Sequence, residues 1–118
     1  MARPYSSDIT KAQFDKIRKI LEDATAPPRR QRNYDLYDIF CAILYVMDTR
    51  CSWHSLPPEY PKWRNVRHYY DLWKTPDETG TGLLEKVLRI LAEEKRIAQG
   101  EPAREWLDYT EIVRYLQD

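Results

Sequence analysis

The chain has 118 residues, of which 42% are apolar and 13% aromatic, enough for one domain with a core and too many for a disordered chain. Its net charge is zero, and nucleic-acid-binding domains are usually basic. The charge is unevenly distributed, however, with a balance of +4 over residues 1–75 and −4 over residues 76–118. A basic first part can still attract phosphate, because that attraction is local and decays over a Debye length.

Signals for export, membrane insertion and catalysis are missing from the sequence. No apolar run approaches the roughly eighteen residues of a membrane span, and the first residues lack the apolar stretch of a signal peptide. We therefore expect a cytoplasmic protein in which Cys41 and Cys51 are reduced. The sequence has no metal-ligand spacing around its histidines, no Gly-rich phosphate loop and no nucleophile elbow. We expect no metal, no cofactor and no catalysis.

Three glycines, and eight prolines that mostly lie between periodic segments, favour helices over a sheet. The first helix has a clear start, because Thr10 and Gln13 have capping-box spacing and Ile9 and Phe14 that of a hydrophobic staple. It is predicted to end near Asp23. Its apolar positions recur at helical spacing and are Phe14, Ile17, Ile20 and Leu21.

A basic, proline-containing linker over residues 24–33 follows, where Pro27 and Pro28 forbid a helix. Its three arginines are Arg29, Arg30 and Arg32. Two interpretations remain open: a solvated linker, or a flexible arm that contacts phosphate or the minor groove.

The second predicted helix, about Asp35 to Thr49, is the most apolar and should be the central core helix. Its apolar stripe is Leu36, Ile39, Phe40, Ile43, Leu44 and Met47. A short helix around Ser52 to Leu56 comes next. Prolines 57, 58 and 61 then stop the chain before it enters another helix.

That next helix, about Lys62 to Lys74, carries most of the functional information. Helical spacing directs Trp63, Val66, Tyr70 and Trp73 toward the core. The side chains left outside are Lys62, Arg64, Asn65, Arg67, His68 and Tyr69. Arginine suits guanine, asparagine suits adenine, and the others suit the DNA backbone. A short helix, a turn and such a helix follow the helix-turn-helix plan, although any amphipathic surface helix also has polar residues outside.

Two helices are predicted in the rest of the chain. One, from about Leu83 to Ala98, has an apolar face that closes a bundle or forms a dimer seam, and Gly100 ends it. The tail, residues 101–118, is predicted to be an acidic helix that packs on the same domain or binds a partner. Its apolar face is Trp106, Ile112, Val113 and Leu116. The fold class predicted is all-α, a bundle of about five to six helices.

Several segments together resemble a known family. Ser7–Phe14 contains Asp8 and, five residues further on, the pair Gln13-Phe14. Tyr34–Pro57 contains Tyr-Asp-Leu, Ala-Ile-Leu-Tyr-Val and Cys-x-Trp-x-x-Leu-Pro. Pro61–Trp73 has Trp-x-x-Val-x-x-x-Tyr-x-x-Trp. The order resembles the N-terminal helix-turn-helix domain of DDE-type bacterial insertion-sequence transposases of the IS-four/IS-five superfamily. The resemblance extends over roughly Ser7 to Ala98, so residues 1–100 are assigned to one transposase-like domain.

The resemblance implies that the domain binds the terminal inverted repeats of a mobile element. The recognition helix would be Lys62–Trp73, with the outward residues named above facing DNA and the three linker arginines as an arm. The catalytic aspartates and glutamate of that family belong to a downstream RNase H-like domain, for which this chain has no counterpart. The chain is then expected to be a non-catalytic transposase subunit or a domesticated fragment.

The function predicted is sequence-specific binding of double-stranded DNA at inverted repeats or an operator. The partners it implies are that DNA, a separate catalytic transposase subunit or another protein bound through residues 101–118, and a second copy of the chain. The alternative is a protein-interaction module, for example an inhibitor of a nucleic-acid enzyme, that uses its acidic C-terminal half.

Overall fold

The computed structural model describes residues 5–25, 35–105 and 108–117 and is all-α, as predicted. Within those ranges there are five α-helices, one 3-10 turn at Trp53–Ser55 and no strand. The helices are α1 (Lys11–Ala24), α2 (Leu36–Thr49), α3 (Trp63–Lys74), α4 (Leu83–Ala98) and α5 (Tyr109–Gln117). None of these helices is long and apolar enough to cross a membrane.

Helix α2 lies at the centre of the bundle and packs against α1, α3 and α5. Six consecutive residues, Ile39 to Leu44, are buried, so the prediction of a central core helix is confirmed. Helix α4 also packs against α1, α3 and α5 and closes the core. The position of α3 is therefore set by two helices behind it, which leaves one of its faces toward solvent.

Local side-chain caps determine where the first two helices begin. The Thr10 Oγ1 accepts a hydrogen bond from the Gln13 backbone N at 3.1 Å, and the Gln13 Oε1 accepts one from the Thr10 backbone N at 2.8 Å. The predicted capping box is thus present, and both staple residues, Ile9 and Phe14, are buried. Asp35 caps α2 by accepting from the Tyr37 backbone N at 2.9 Å, so the helix proper starts one residue later than predicted.

A buried hydrogen-bond chain attaches α3 to the end of α1. The Trp73 Nε1 donates to the Thr25 Oγ1 at 3.1 Å, and that hydroxyl donates to the Leu21 carbonyl oxygen at 2.6 Å. Trp73 and Thr25 are both buried, so each polar atom needs a partner inside the protein. The C-terminal end of α3 is therefore fixed relative to α1.

The turn between α3 and α4 brings two backbone segments close together. A Cβ on Gly82 would lie only 2.5 Å from the Lys74 carbonyl oxygen, so no larger residue fits there without a shift of the backbone. Within this turn, the Asp77 carboxylate accepts from the Thr79 backbone N at 2.8 Å and pairs with Lys86. These contacts define the path from α3 into α4.

The sequence predictions are wrong at three places near helix ends and surfaces. Ile97 and Ile20 were assigned to apolar positions but are 64% and 37% exposed. The tail is not helical from residue 101, and α5 begins only at Tyr109. The side chain that starts the helix is Asp108, which accepts from the Glu111 backbone N at 2.9 Å.

Helix α5 packs against α2 and α4 through Ile112 and Val113, which are buried. Leu116 is partly buried against the same core. Trp106, the fourth residue of the predicted apolar face, lies outside the described residues. The tail thus adds apolar contacts to the core of the bundle.

Candidate nucleic-acid interface

Helix α3 has one face in the core and one in solvent. The buried side chains are Val66, Tyr69 and Trp73, and Trp63 and Tyr70 are half-buried. The assignment of Tyr69 to the outward face is therefore wrong, since it is only 6% exposed and its ring centroid lies 5.3 Å from that of Trp73. Tyr69 and Tyr70 lie three and four residues after the buried Val66, and both spacings are compatible with a helical core stripe. The rotation of α3 between α2 and α4 places Tyr69 in the core.

The neighbouring Tyr70 packs on the 3-10 turn at the edge of this face. Its ring centroid is 5.0 Å from that of Trp53. The short helix predicted around Ser52 to Leu56 is only this single turn, Trp53–Ser55, because prolines 57 and 58 leave no room to extend it. The turn places the Trp53 ring beside α3.

The solvent face of α3 carries most of the remaining predicted residues. Lys62, Arg64, Arg67 and His68 are exposed, and Asn65 is half-buried. The predicted arginine arm, Arg29, Arg30 and Arg32, lies outside the described residues. Between residues 62 and 74 the sequence has four Lys/Arg side chains and one carboxylate, so this face is locally positive although the whole chain is neutral.

Aromatic rings support three of the cations of this face. The Arg64 Cζ lies 5.5 Å from the centroid of the Trp63 ring, and the Arg67 Cζ lies 5.6 Å from that of Trp53. The Lys74 Nζ lies 5.2 Å from the centroid of the Tyr70 ring. Such contacts hold a cation against the protein surface without neutralising its charge.

The same cations differ in whether a carboxylate neutralises them. Arg67 forms an ion pair with Asp71, with 3.2 Å between Nε and Oδ2. Lys62 and Arg64 have no carboxylate within 4.0 Å in the described part of the chain. The first turn of α3 has no acidic residue and no side-chain cap, so the positive end of the helix dipole lies beside Lys62 and Arg64. This end of α3 is suited to an anion.

A groove of about 510 Å³ adjoins this end of α3. Its walls come from the proline-containing segment before the helix and from the first residues of the helix, including Lys62 and Arg64. The His54 ring lies against that of Trp63, with the two planes tilted by 50° and 4.2 Å between the ring centroids. The segment that stops the preceding helix therefore also shapes the surface beside the cations.

Two residues of this face were not singled out from the sequence. Leu72 is 45% exposed and falls four residues after His68 and eight after Arg64, in the same helical row. Asp71 is exposed and contacts Arg67. The row of Leu72 was visible in the i, i+4, i+8 spacing, whereas the role of Asp71 depends on a side-chain geometry that spacing alone does not define.

No cluster of three or more metal-ligating side chains occurs in the ranges that the structure describes. What remains is a small all-helical domain that presents a short cationic helix, supported by aromatic rings, on its surface.

Comparison with known families identifies the family of this domain. A model of the family described as "Putative transposase of IS4/5 family (DUF4096)" matches residues 9–79, more than half of the chain. The chain belongs to this family, which confirms the resemblance found in the sequence. The matched region contains α1, α2 and α3, whereas α4 and α5 follow it. No curated protein and no solved structure matches the chain.

Proposed function

We propose that this transposase-family domain binds double-stranded DNA, with the solvent face of α3 in the major groove, at the inverted repeats or an operator of a mobile element. The observation that carries the proposal is the uncompensated positive charge of Lys62 and Arg64 at the exposed N-terminal end of α3. In helix-turn-helix proteins, the recognition helix enters the major groove with its N-terminal end toward the DNA, where such charges can contact phosphate. The domain acts as a non-catalytic part of the transposition machinery.

The dimensions and chemistry of α3 suit that groove. A helix of 12 residues is about 18 Å long, and the major groove admits an α-helix. Asn65 and Arg67 supply donors for base edges, while Lys62, Arg64 and His68 are placed to contact phosphate. The short helix around Ser52 to Leu56, which was predicted to be the first helix of the pair, is only a 3-10 turn. We therefore assign its supporting role to α2, which packs directly against α3.

The rival proposal, a protein-interaction surface on the acidic C-terminal half, has less support. Several carboxylates of that half form ion pairs with basic residues of the same domain. These pairs are Asp77–Lys86, Glu85–Arg89, Glu93–Arg96, Glu94–Lys16 and Arg104–Glu111. Half of the ten carboxylates in residues 76–118 are thus engaged with cations of the same domain, although the net charge of that half stays near −4.

Fluorescence anisotropy with labelled duplex DNA tests the proposal. Arg64→Ala should weaken binding to all duplexes to a similar extent and make the affinity less dependent on salt, as expected for the loss of a phosphate contact. The matched control is Arg89→Ala, which makes the same substitution on α4 and should bind nearly as the unsubstituted chain does. If the chain binds no duplex at low salt, or if both variants lose the same affinity, the assignment of α3 as the DNA-binding helix is wrong.

A further inference from the structure

Arg67 is held on two sides by protein groups although it lies on the surface. Its Nε is 3.2 Å from both oxygens of the Asp71 carboxylate. Its guanidinium carbon lies 5.6 Å from the centroid of the Trp53 ring. The side chains of Arg67 and Asp71 are nevertheless 48% and 58% exposed, so the pair is accessible to a ligand.

The atoms used in these contacts determine what Arg67 has left to offer. The carboxylate takes the Nε side of the guanidinium, while the two terminal nitrogens lie at the other end of the planar group. Those terminal nitrogens form the fork that donates two parallel hydrogen bonds to the O6 and N7 of guanine. An arginine already ordered in this way loses less side-chain freedom when it binds than a free one does.

Arg64 provides the contrast on the same helix. It also lies near an aromatic ring, but no carboxylate of the described residues pairs with it. Its guanidinium keeps more rotational freedom and its full charge, which suits a phosphate contact rather than a fixed base contact.

We infer that Asp71 is a positioning residue that orients Arg67 to read one guanine in the major groove, with the Trp53 ring beneath the guanidinium. The inference rests on the proposed DNA binding and adds the base and the residue that sets its specificity. Asp71 is also negative and lies near the phosphates of bound DNA. Its removal should therefore change specificity and general affinity in opposite directions.

The test uses a duplex selected from a random pool by the unsubstituted chain, and a set of variants of that duplex. In each variant, one guanine is replaced by 7-deazaguanine, which lacks the N7 acceptor. We expect the unsubstituted chain to lose about fivefold or more in affinity at one guanine, as expected for loss of part of a bidentate contact. Asp71→Asn and Arg67→Ala should lose that sensitivity at the same position and keep it elsewhere.

Two further variants separate positioning from charge. Asp71→Glu retains a carboxylate and should recover part of the discrimination. Glu78→Gln removes one exposed negative charge from the turn after α3 and should leave the discrimination unchanged. On a duplex without the selected sequence, Asp71→Asn should bind at least as tightly as the unsubstituted chain, because a charge repelled by phosphate has been removed.

The outcomes distinguish this inference from the proposed function. If the chain binds DNA with a clear base preference but Asp71→Asn keeps the full sensitivity to 7-deazaguanine, Asp71 is an ordinary surface ion-pair partner and the inference is wrong. The inference is also wrong if Asp71→Asn loses the sensitivity to 7-deazaguanine equally at all guanines of the duplex. If the unsubstituted chain binds no duplex, the proposed function fails and this inference fails with it.

Discussion

The hydrogen bond between Trp73 and Thr25 is the sharpest test of how α3 is held in place. Thr25→Val keeps the shape of the side chain and removes the oxygen that accepts from the Trp73 Nε1 at 3.1 Å. Thr25 is only 5% exposed and Trp73 is buried, so water cannot replace the lost acceptor without opening the core. The Leu21 carbonyl, which loses the Thr25 hydroxyl, still accepts from the Thr25 backbone N at 3.0 Å.

The expected cost follows from this accounting. One buried donor is left without a partner, and such a group costs about 1–3 kcal/mol in the free energy of unfolding. For a domain of this size, each kcal/mol lowers the melting temperature by roughly 3 to 5 °C. We therefore expect Thr25→Val to melt about 3 to 15 °C below the unsubstituted chain.

Thermal and urea unfolding, followed by far-ultraviolet circular dichroism, measure this effect in four chains: unsubstituted, Thr25→Val, Trp73→Phe and the double variant. Phenylalanine at position 73 has no N–H, so the valine should cost clearly less in that background than in the unsubstituted chain. A coupling free energy of about 1 kcal/mol or more is expected. Additive effects of the two substitutions would refute the proposed link between α1 and α3.

Two further predictions concern the turn that joins α3 to α4. Gly82→Ala should destabilise the fold by about 1–3 kcal/mol, because the new Cβ meets backbone atoms of Lys74. Gly80→Asn is the control in the same melting assay and should cost much less, because Gly80 has a left-handed backbone conformation and open space around it. Hydrogen bonds from Lys86 and then Thr79 lower the pKa of Asp77 below its ordinary value of 3.8. The ionised Asp77 therefore stabilises the folded state above pH 3.8, and this stabilisation is lost as the pH falls below that value. Asp77→Asn should be less stable than the unsubstituted chain at neutral pH, and the difference should shrink below pH 3.8 when unfolding is measured across pH.

The parts of the fold that depend on local signals could be predicted from the sequence. The capping box at Thr10 is a contact between residues three positions apart, and α4 begins at Leu83 and ends at Ala98 as its apolar pattern indicates. The start of α5 was missed because the whole tail was assigned to one helix, while the residue that caps α5 is Asp108. Ile97 was misplaced because periodicity alone does not show which apolar positions near the end of α4 are buried, and Ile97 is 64% exposed.

The candidate site divides in the same way. The exposed positions of Lys62, Arg64 and Arg67 follow from helical periodicity, which depends on neighbours along the chain. Periodicity did not distinguish Tyr69 from Tyr70, because both satisfy a core stripe and only the packing of α3 between α2 and α4 decides between them. The contact of Arg67 with Trp53 joins two elements separated by three prolines, so no local pattern predicts it.

Binding of the intact chain to a pool of random duplexes at two salt concentrations tests the central claim most directly. DNA binding through the cationic face of α3 predicts an affinity that falls steeply as salt rises, because phosphate contacts release counterions. Repeated rounds of selection should then enrich one sequence that contains at least one guanine. Absence of binding at low salt, or binding that no sequence improves and that salt does not weaken, would contradict this function.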